Sequence, residues 1–360
     1  MKYDIFKNKK ILITGHTGFK GSWLLKWLSL YSKNLYGISN NIPTKPSLFE
    51  DLQLKKLLKK NFKVNVTDNK KISNIINSVK FDFIFHLAAQ PLLIKSYNEP
   101  LETIYTNIMG TSNILDSLKK YKHKCAVVII TSDKCYENND DNIAFKENDR
   151  LGGKDIYGAS KACAEIVFNS YFNSFFKNST VKLATVRAGN VIGGGDWSDN
   201  RIVPDFFKSA IKNNHITIRN PKSTRPWQHV LEPLNGYLKV AKMLYKKEIN
   251  SGESFNFGPN INNHVDVITL INDLAFRLKK NTDINAKIKI KKNLLFENNF
   301  LRLNIHKSKK VLGWKPILTY IEMINFTSDC YTNYQNSKNV NRIIDEQIKY
   351  FETYETKKNI

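Results

Sequence analysis

Residues 11–23 read Ile11-Leu12-Ile13-Thr14-Gly15-His16-Thr17-Gly18-Phe19-Lys20-Gly21-Ser22-Trp23, an apolar run followed by three glycines at three-residue spacing. The apolar run predicts a short strand, and the apolar segment that starts at Ser22 predicts a helix. Such glycines allow a tight turn and let the backbone approach a pyrophosphate, whose charge then faces the positive end of the helix dipole. The segment predicts a dinucleotide-binding turn with contacts from Gly15, Thr17, Gly18, Phe19, Lys20 and Gly21.

Beyond this turn, the first 190 residues alternate short β-branched runs with longer amphipathic segments. The predicted strands are residues 10–14, 35–38, 62–66, 83–87, 126–131 and 181–187, and the predicted helices are residues 18–31, 68–79, 101–121 and 157–176. Strands that are almost wholly apolar are typical of a parallel sheet covered by helices on both faces. The expected fold is α/β, a Rossmann-type doubly wound parallel sheet with a smaller C-terminal mixed α/β part.

The regular alternation ends after Gly189, where glycine, proline, asparagine and arginine cluster in residues 193–204 and 220–233. Such residues indicate ordered loops. We therefore expect a nucleotide-binding domain at residues 1–190 and a mainly substrate-binding domain at residues 191–360, from which the chain can cross back to the sheet. Short strands at residues 255–257 and 286–290 and a helical stretch from 320 to about 355 are predicted there, and a ligand cleft is expected between the two parts.

The end of the second predicted strand bears on the choice of dinucleotide. An acidic residue there normally favours NAD, and an arginine favours NADP. Residues 35–41 contain neither and end in Asn40 and Asn41. Because asparagine can hydrogen-bond a ribose hydroxyl, NAD is the predicted cofactor.

Polar side chains follow the strand at residues 126–130, at the sheet edge where open α/β proteins bind ligands. These are Ser132, Asp133 and Lys134. Further along the chain, Tyr157 and Lys161 are four residues apart and so share one face of a helix. An ammonium near a phenol favours phenolate, which predicts Tyr157 as a base for a sugar hydroxyl, with Ser132 bonded to the same hydroxyl.

The glycine turn, the strand-end serine and the Tyr-x-x-x-Lys pair together resemble the extended short-chain dehydrogenase/reductase family. The segment from His86 to Gln90 is similar to the stretch that lies along the dinucleotide in that family, which implies cofactor contacts from Leu87, Ala88 and Ala89. The resemblance likewise implies a cofactor role for Asn107, and cofactor contacts from Tyr157 and Lys161 in addition to their catalytic role. It also places Asn65 and Val66 near the adenine, although the family usually has acidic residues at the positions of Asn41 and Asn65.

Four longer segments, residues 15–23, 131–136, 187–197 and 225–234, resemble the branch of this family that dehydrates CDP-glucose. That branch has lysine after the catalytic aspartate, where other nucleotide-sugar 4,6-dehydratases have glutamate. The resemblance implies that Asp133 donates a proton to the C6 hydroxyl and that Lys134 removes the C5 proton, giving CDP-4-dehydro-6-deoxyglucose for deoxysugar biosynthesis. It further implies substrate contacts from Gln90, Asn190, Arg201, Arg225 and Asn256.

The composition excludes several classes of protein. With 360 residues and 41% hydrophobic residues, the chain can bury a large core and is not disordered. Its formal net charge of +24 comes from lysines spread along the whole chain, which argues against a nucleic-acid partner. The four cysteines form no C-x-x-C pair and have no zinc-ligand spacing, so we expect reduced thiols and no metal.

No segment has the features of a signal peptide or of a membrane helix, so a cytoplasmic protein is expected. The family resemblance implies a homodimer or homotetramer paired through residues 101–121 and 157–176. Two alternatives for the activity stay open, a nucleotide-sugar 4-epimerase and a 4,6-dehydratase for another nucleotide sugar. The epimerase needs no acid and base for elimination, which the pair Asp133-Lys134 provides.

Overall fold

The computed structural model of the protein describes residues 3–141, 143–260, 265–282, 284, 286–290, 300–335 and 339–358. The strands within these ranges are β1 (Ile11–Thr14), β2 (Leu35–Ser39), β3 (Lys60–Lys63), β4 (Phe83–His86), β5 (Cys125–Ile130), β6 (Ala144–Phe145), β7 (Val181–Ala188), β8 (Val191–Ile192), β9 (His215–Ile218), β10 (Thr224–Arg225), β11 (Gln228–His229), β12 (Ser254–Phe257), β13 (Val265–Asp266), β14 (Lys287–Ile290) and β15 (Arg302–Leu303).

The α-helices of the described chain are α1 (Phe19–Leu28), α2 (Leu48–Asp51), α3 (Asn69–Val79), α4 (Leu93–Asn98), α5 (Pro100–Ile104), α6 (Gly110–Leu118), α7 (Ile156–Tyr171), α8 (Ile202–Ile211), α9 (Leu231–Lys246), α10 (Val267–Asn281), α11 (His306–Leu312), α12 (Tyr320–Gln335) and α13 (Val340–Lys358). Short 3₁₀ turns cover Asp4–Phe6, Leu54–Leu57 and Asp133–Cys135, and π-helical turns cover Tyr105–Met109 and Phe172–Phe176. None of the helices described is long and apolar enough to cross a lipid bilayer.

Seven of the described strands form one sheet in the order β12-β7-β5-β4-β1-β2-β3. Every neighbouring pair in it is parallel. The chain builds outward from β1 through β2 to β3, and then from β4 through β5 and β7 to β12. The order therefore reverses between β1 and β4, and ligands of doubly wound folds bind at the carboxyl ends of strands beside such a reversal. The predicted Rossmann-type fold is confirmed.

Both faces of the sheet are buried, and successive strand residues point to opposite faces. Leu12 and Val127 face α3, α6 and α7 in one apolar cluster. Ile13 and Val128 face α1, α9 and α13 in another. This two-sided burial explains why the strand sequences are almost wholly apolar.

The chain beyond residue 190 forms a smaller part but also returns to the sheet, because β12 pairs with β7 as its edge strand. Helices α8, α10 and α12 pack around a third cluster that includes Phe206, Ile218, Leu274 and Tyr331. Short strand pairs, β9 with β14 and β10 with β13, complete this part.

Several predicted boundaries differ from the structure. β3 begins at Lys60 and ends at Lys63, so Asn65 and Val66 follow the strand and do not belong to it. The single helix predicted at residues 101–121 is divided, because the π-helical turn Tyr105–Met109 separates α5 from α6. A second π-helical turn at Phe172–Phe176 follows α7 in the helix predicted at 157–176.

Candidate active site

A cavity of about 310 Å³ lies where β4, β5 and β7 end and the smaller part of the chain begins. This volume is at the small end of the range for ligand pockets. The sheet contributes residues that follow these strand ends, and the smaller part contributes loops and helix ends. The predicted site residues that line the cavity are Lys20, Ser132, Asp133, Lys134, Tyr157, Asn190, Arg201 and Arg225.

The glycine turn connects β1 to α1, and its three glycines have different surroundings. Gly15 has a φ of +71°, and a Cβ there would lie 2.7 Å from the Ala88 nitrogen. A Cβ on Gly21 would lie 2.2 Å from the Gly15 carbonyl oxygen. Gly18, at the N-terminal cap of α1, has ordinary backbone angles, and among the described residues the nearest atom to its Cβ position is the Gly15 carbonyl oxygen, 3.4 Å away. The protein's own packing accounts for glycine at 15 and 21 but not at 18, which fits close approach of a pyrophosphate there.

Hydrogen bonds join the glycine turn to the end of β2. The Thr17 hydroxyl pairs with the Ser39 hydroxyl at 2.5 Å and donates to the Asn41 carbonyl at 2.7 Å. Asn41 is exposed and stands where a ribose hydroxyl is read in this class of fold. The structure thus places the asparagine that replaces the usual acidic residue beside the phosphate-binding turn.

The remaining predicted cofactor residues lie along the same sheet edge. Leu87 follows β4, and its backbone nitrogen donates to the Thr14 carbonyl at 3.1 Å; half-buried Ala88 and Ala89 come next.

The two residues expected near the adenine follow β3. Asn65 is exposed, and its side chain accepts the Thr67 backbone N–H at 3.1 Å. Val66 is buried, and its carbonyl accepts from the Asn113 amide. The half-buried ring of Phe19 lies at the start of α1, 3.3 Å from where a Cβ on Gly193 would stand.

Three predicted catalytic residues follow β5 on the 3₁₀ turn Asp133–Cys135, which Ser132 caps by accepting the Lys134 backbone N–H at 3.2 Å. The Ser132 hydroxyl donates to Asp133 Oδ1 at 3.0 Å. Asp133 Oδ2 is buried and has no hydrogen-bond partner within the described chain. Burial raises the pKa of Asp133, so the carboxyl holds a proton more readily than an exposed aspartate. A buried acid with a free oxygen at a cavity wall is suited to donate a proton to a ligand.

Tyr157 and Lys161 lie one turn apart on α7, which begins at Ile156. Burial raises the pKa of the Tyr157 phenol to about 12, and a hydrogen bond with Ser132 offsets only part of this rise. The sequence-based expectation of a lowered phenol pKa is therefore wrong for the protein alone. Lys161 donates to the Ile130 carbonyl at 3.3 Å, and burial lowers its own pKa to about 8, so the ammonium that favours phenolate is still the main form at neutral pH.

Lys134, on the same 3₁₀ turn as Asp133, also lines the cavity. Its ammonium lies 3.5 Å from Asp155 Oδ2, and the lysine side chain is 21% exposed while that of Asp155 is 6% exposed. Asp155 Oδ1 accepts the Gly158 backbone N–H at 2.8 Å and so caps α7. The carboxylate therefore contacts both the catalytic turn and the helix that carries Tyr157.

Cations line the cavity at the end toward the smaller part of the chain. Arg201 is held by Asp196 through a 2.9 Å ion pair, and Arg225 is a buried residue of β10. Lys20 extends from the first turn of α1, and burial lowers its pKa to about 8, with Arg201 adding to the effect. Guanidinium groups bind phosphate oxygens in pairs, so this end of the cavity is suited to a diphosphate.

The side chains of three predicted contact residues, Gln90, Asn107 and Asn256, hydrogen-bond other parts of the protein, and these residues are not among those that line the cavity. The Gln90 amide bonds Thr103 and the Leu92 backbone. The Asn107 amide bonds the Gln90 backbone and the Ser160 hydroxyl. Asn256 is fully buried on β12, with its amide bonded to Tyr136 and to two backbone carbonyls. The amides of these side chains hold the loops around the cavity, and their expected contacts with ligand stay predictions.

A buried ion pair lies behind the catalytic turn. Glu165 and Arg187 form two hydrogen bonds of 2.9 Å, and both side chains are almost completely buried. Glu165 also accepts from Thr131, and Arg187 donates to Tyr136. Because Thr131 and Tyr136 flank the segment that carries Ser132 to Lys134, the pair fixes both ends of the catalytic turn.

Sequence reasoning missed Asp155, Asp196 and Tyr331. Asp155 had a readable signal, because an aspartate just before an apolar helical segment predicts an N-terminal cap. Asp196 and Tyr331 had none. Tyr331 reaches the cavity from α12 and donates a short hydrogen bond to the Asp196 carbonyl, across 135 residues of chain.

Comparison with known families agrees with this geometry. The sequence profile described as GDP-mannose 4,6 dehydratase matches residues 12–327. The chain belongs to that family. The expected place among the nucleotide-sugar dehydratases of the extended short-chain dehydrogenase/reductase family is confirmed.

The relatives of this family member include both dehydratases and epimerases. It is 42% identical to the CDP-glucose 4,6-dehydratase of Salmonella typhimurium over 318 residues, which cover 87% of this chain and 88% of the relative. The structure of the epimerase Mth375 from Methanothermobacter thermautotrophicus matches with a TM-score of 0.78 at 20% identity, covering 93% of this chain and 96% of the other. The dTDP-glucose 4,6-dehydratase of Bacillus anthracis, solved in complex with NAD, matches with a TM-score of 0.74 at 20% identity, covering 92% and 99%. The likeness to these two solved structures, at 20% identity, shows the shared fold alone.

Proposed function

We propose that the protein is an NAD-dependent CDP-glucose 4,6-dehydratase that forms CDP-4-dehydro-6-deoxyglucose and water. The observation that carries the proposal is the joint presence of Ser132, Asp133, Lys134 and Tyr157 on the wall of one cavity. The 42% identity to a CDP-glucose 4,6-dehydratase over 87% of the chain supports the choice of substrate.

The residues along β1, β2 and β4 fit NAD. The uncrowded position at Gly18 admits a pyrophosphate, and Thr17, Lys20 and the backbone of Ala88 and Ala89 lie along the same edge. When bound, NAD supplies the acceptor for the C4 hydride and later returns it to C6. The protein's own part is to place the sugar and to move protons at O4, C5 and O6.

The first proton transfer takes place at O4. Tyr157 removes the O4 proton, and Ser132, whose hydroxyl bonds both Asp133 and Tyr157, aligns that hydroxyl. A phenol with a pKa near 12 is a weak acid, so its phenolate is a strong base once formed. Lys161, buried one turn further along α7, stabilises that phenolate as it forms.

Elimination needs a base at C5 and an acid at O6, and the turn after β5 supplies both. Oxidation at C4 makes the C5 proton acidic, and Lys134 removes it. Asp133 then protonates the C6 hydroxyl, and water leaves. Burial favours the protonated form of Asp133, and its Oδ2 makes no hydrogen bond with the rest of the described chain, so this proton is available.

The cationic end of the cavity holds the diphosphate. Arg201 and Arg225 bind its oxygens, Lys20 adds positive charge, and the half-buried Asn190 lines the same cavity. The total charge of +24 favours the approach of such a dianion.

Incubation of the purified protein with NAD and, separately, with the glucose derivatives of CDP, dTDP, GDP and UDP tests the proposal. We expect loss of one water from CDP-glucose alone, detected by mass spectrometry of the product. Water loss with a different nucleotide would retain the chemistry and contradict the cytidine assignment. Isomerisation without water loss would identify a 4-epimerase, the alternative that the epimerase relatives keep open.

We also propose that two copies pair through α5, the π-helical turn Tyr105–Met109 and α7, which pack beside one another. Their outer faces leave large apolar side chains exposed, including Leu101 at 79%, Tyr105 at 57% and Ile166 at 52%. Large exposed apolar side chains on neighbouring helices are typical of a protein interface. Light scattering should give a mass of two or four chains, and Leu101→Asp with Ile166→Asp should give one. The cytoplasmic location expected from the sequence belongs to the same proposal.

A further inference from the structure

Asp155 holds two parts of the active site with its two carboxylate oxygens. Oδ1 accepts the Gly158 backbone N–H at 2.8 Å, which caps the helix that carries Tyr157. Oδ2 lies 3.5 Å from the Lys134 ammonium. The capping role needs only an acceptor, so asparagine or serine would satisfy it. The second contact requires a side chain that can reach Lys134 and accept from it.

Lys134 separates two cavities. It lines the substrate cavity together with Asp133 and Tyr157, and it also lines a second cavity of about 20 Å³. Asp155 lines the second cavity and not the first. Asp155 therefore lies behind Lys134 as seen from the substrate, and it does not itself line the substrate cavity.

The proposed elimination requires a lone pair on Lys134. An ammonium group carries three donors and no acceptor, so Lys134 must lose a proton before it can take one from C5. The Asp155 carboxylate is the polar group at hydrogen-bond distance behind it. Transfer of the proton from Nζ to Oδ2 converts an ion pair into an amine and a carboxylic acid with no change in total charge. Exclusion of water by bound substrate favours the uncharged pair, because buried charges lose their hydration.

We propose that Asp155 is the positioning residue of the C5 base: it holds Lys134 at the cavity wall and accepts its proton, leaving a neutral amine. This inference rests on the proposed function. The C5–H bond then breaks with its proton going to Nζ, the C6–O bond breaks, and Asp133 gives a proton to the departing hydroxyl. After the hydride reaches C6, Lys134 returns a proton to C5 and regains one from Asp155. The second cavity is large enough for one water molecule, which allows the protons held behind Lys134 to exchange with solvent.

The test compares Asp155→Asn, Asp155→Ala and Lys134→Ala in the holoenzyme with CDP-glucose. Asparagine retains the helix cap but cannot take up the proton, whereas alanine loses both functions. For Asp155→Asn we expect C4 oxidation within about twofold of wild type and elimination slowed by about tenfold or more, so that reduced nicotinamide accumulates in stopped-flow absorbance. The melting temperature should stay near that of wild type for Asp155→Asn and fall for Asp155→Ala.

The double variant Lys134→Ala with Asp155→Asn should eliminate no more slowly than Lys134→Ala alone, because residues that act as one unit have non-additive effects. Normal elimination by Asp155→Asn would overturn the inference and leave Asp155 as a helix cap. Equal slowing of oxidation and elimination would overturn it too, because it would show displacement of α7. Measurement of the wild type distinguishes failure of the inference about Asp155 from failure of the proposed function. A wild-type protein that releases no water from CDP-glucose contradicts both.

Discussion

One wall of the substrate cavity is built from strand ends and the other from loops. Ser132, Asp133 and Lys134 follow β5 within a few residues, and backbone pairing in the parallel sheet fixes where that strand ends. Arg201 and Arg225 come from segments outside the main sheet, Arg201 from the loop before α8 and Arg225 from the short strand β10, and an ion pair with Asp196 holds Arg201. Under the proposed function, the edge of the main sheet holds the reacting groups, and the segments outside it hold the phosphates.

The largest effect should come from a change at Tyr157, which lies on α7 and bonds Ser132 of the strand-end wall. Replacement of Tyr157 by Phe removes the group that takes the O4 proton, so the rate of C4 oxidation should fall by about 10²–10⁴-fold. Stopped-flow absorbance of reduced nicotinamide measures this step. Tyr171→Phe removes another hydroxyl from the same helix, away from the cavity, and should be neutral. Oxidation at the normal rate in Tyr157→Phe would show that a different group serves as the base.

A substitution in the wall that carries Arg201 and Arg225 should affect substrate binding more than the chemical steps. Replacement of Arg225 by Ala removes a charged hydrogen-bonding partner of the diphosphate, which should raise KM for the nucleotide sugar by roughly 10–100-fold with a smaller change in kcat. Steady-state kinetics separates the two constants. Arg277→Ala, on α10 and paired with Asp329, is a matched control that should leave KM unchanged. A selective loss of kcat in Arg225→Ala would contradict the division between the walls.

Two glycines of the same turn should respond differently. Gly18→Ala adds a methyl group where a ligand phosphate is expected, so NAD affinity should fall by about tenfold or more with little change in melting temperature. Gly21→Ala forces a methyl group against the Gly15 carbonyl and should cost about 1–3 kcal/mol of unfolding free energy. Calorimetric NAD titration and thermal melting measure the two effects. Equal destabilisation by both changes would show that Gly18 is a packing residue.

The smallest expected effect is a pH-dependent change in melting temperature caused by substitution of Asp133. Because burial raises the pKa of Asp133, the folded state binds this proton more tightly than the unfolded state does. The stability of the wild type relative to Asp133→Asn therefore falls as pH rises above the usual aspartate range. At neutral pH Asp133→Asn should melt about 1–3 °C above wild type, and the gap should close in acid. A gap that widens in acid would contradict the direction of the pKa shift.

The sequence predicted the sheet and its edge better than it predicted the loop wall. Apolar strands, glycine spacing and the Tyr157–Lys161 pair are local patterns, and each corresponds to an observed element. The hydrogen bonds of Gln90 and Asn256 to other parts of the protein were not predicted, because sequence shows a residue type but not which polar groups become its partners after folding. Tyr331 could not be found, since its contact with the Asp196 carbonyl depends on packing between distant segments.

Helix α13 packs on α1 directly behind the glycine turn. Trp27 donates to Glu352 across 325 residues of sequence, and Lys26 pairs with Asp345. During synthesis the nucleotide-binding half therefore leaves the ribosome long before the helix that covers one face of its core. Contacts between residues so far apart in the sequence slow folding. Trp23 and Trp27 would stay partly exposed to solvent or chaperones until α13 packs on α1. The apolar groups that anchor the phosphate-binding turn are thus among the last to be fully enclosed.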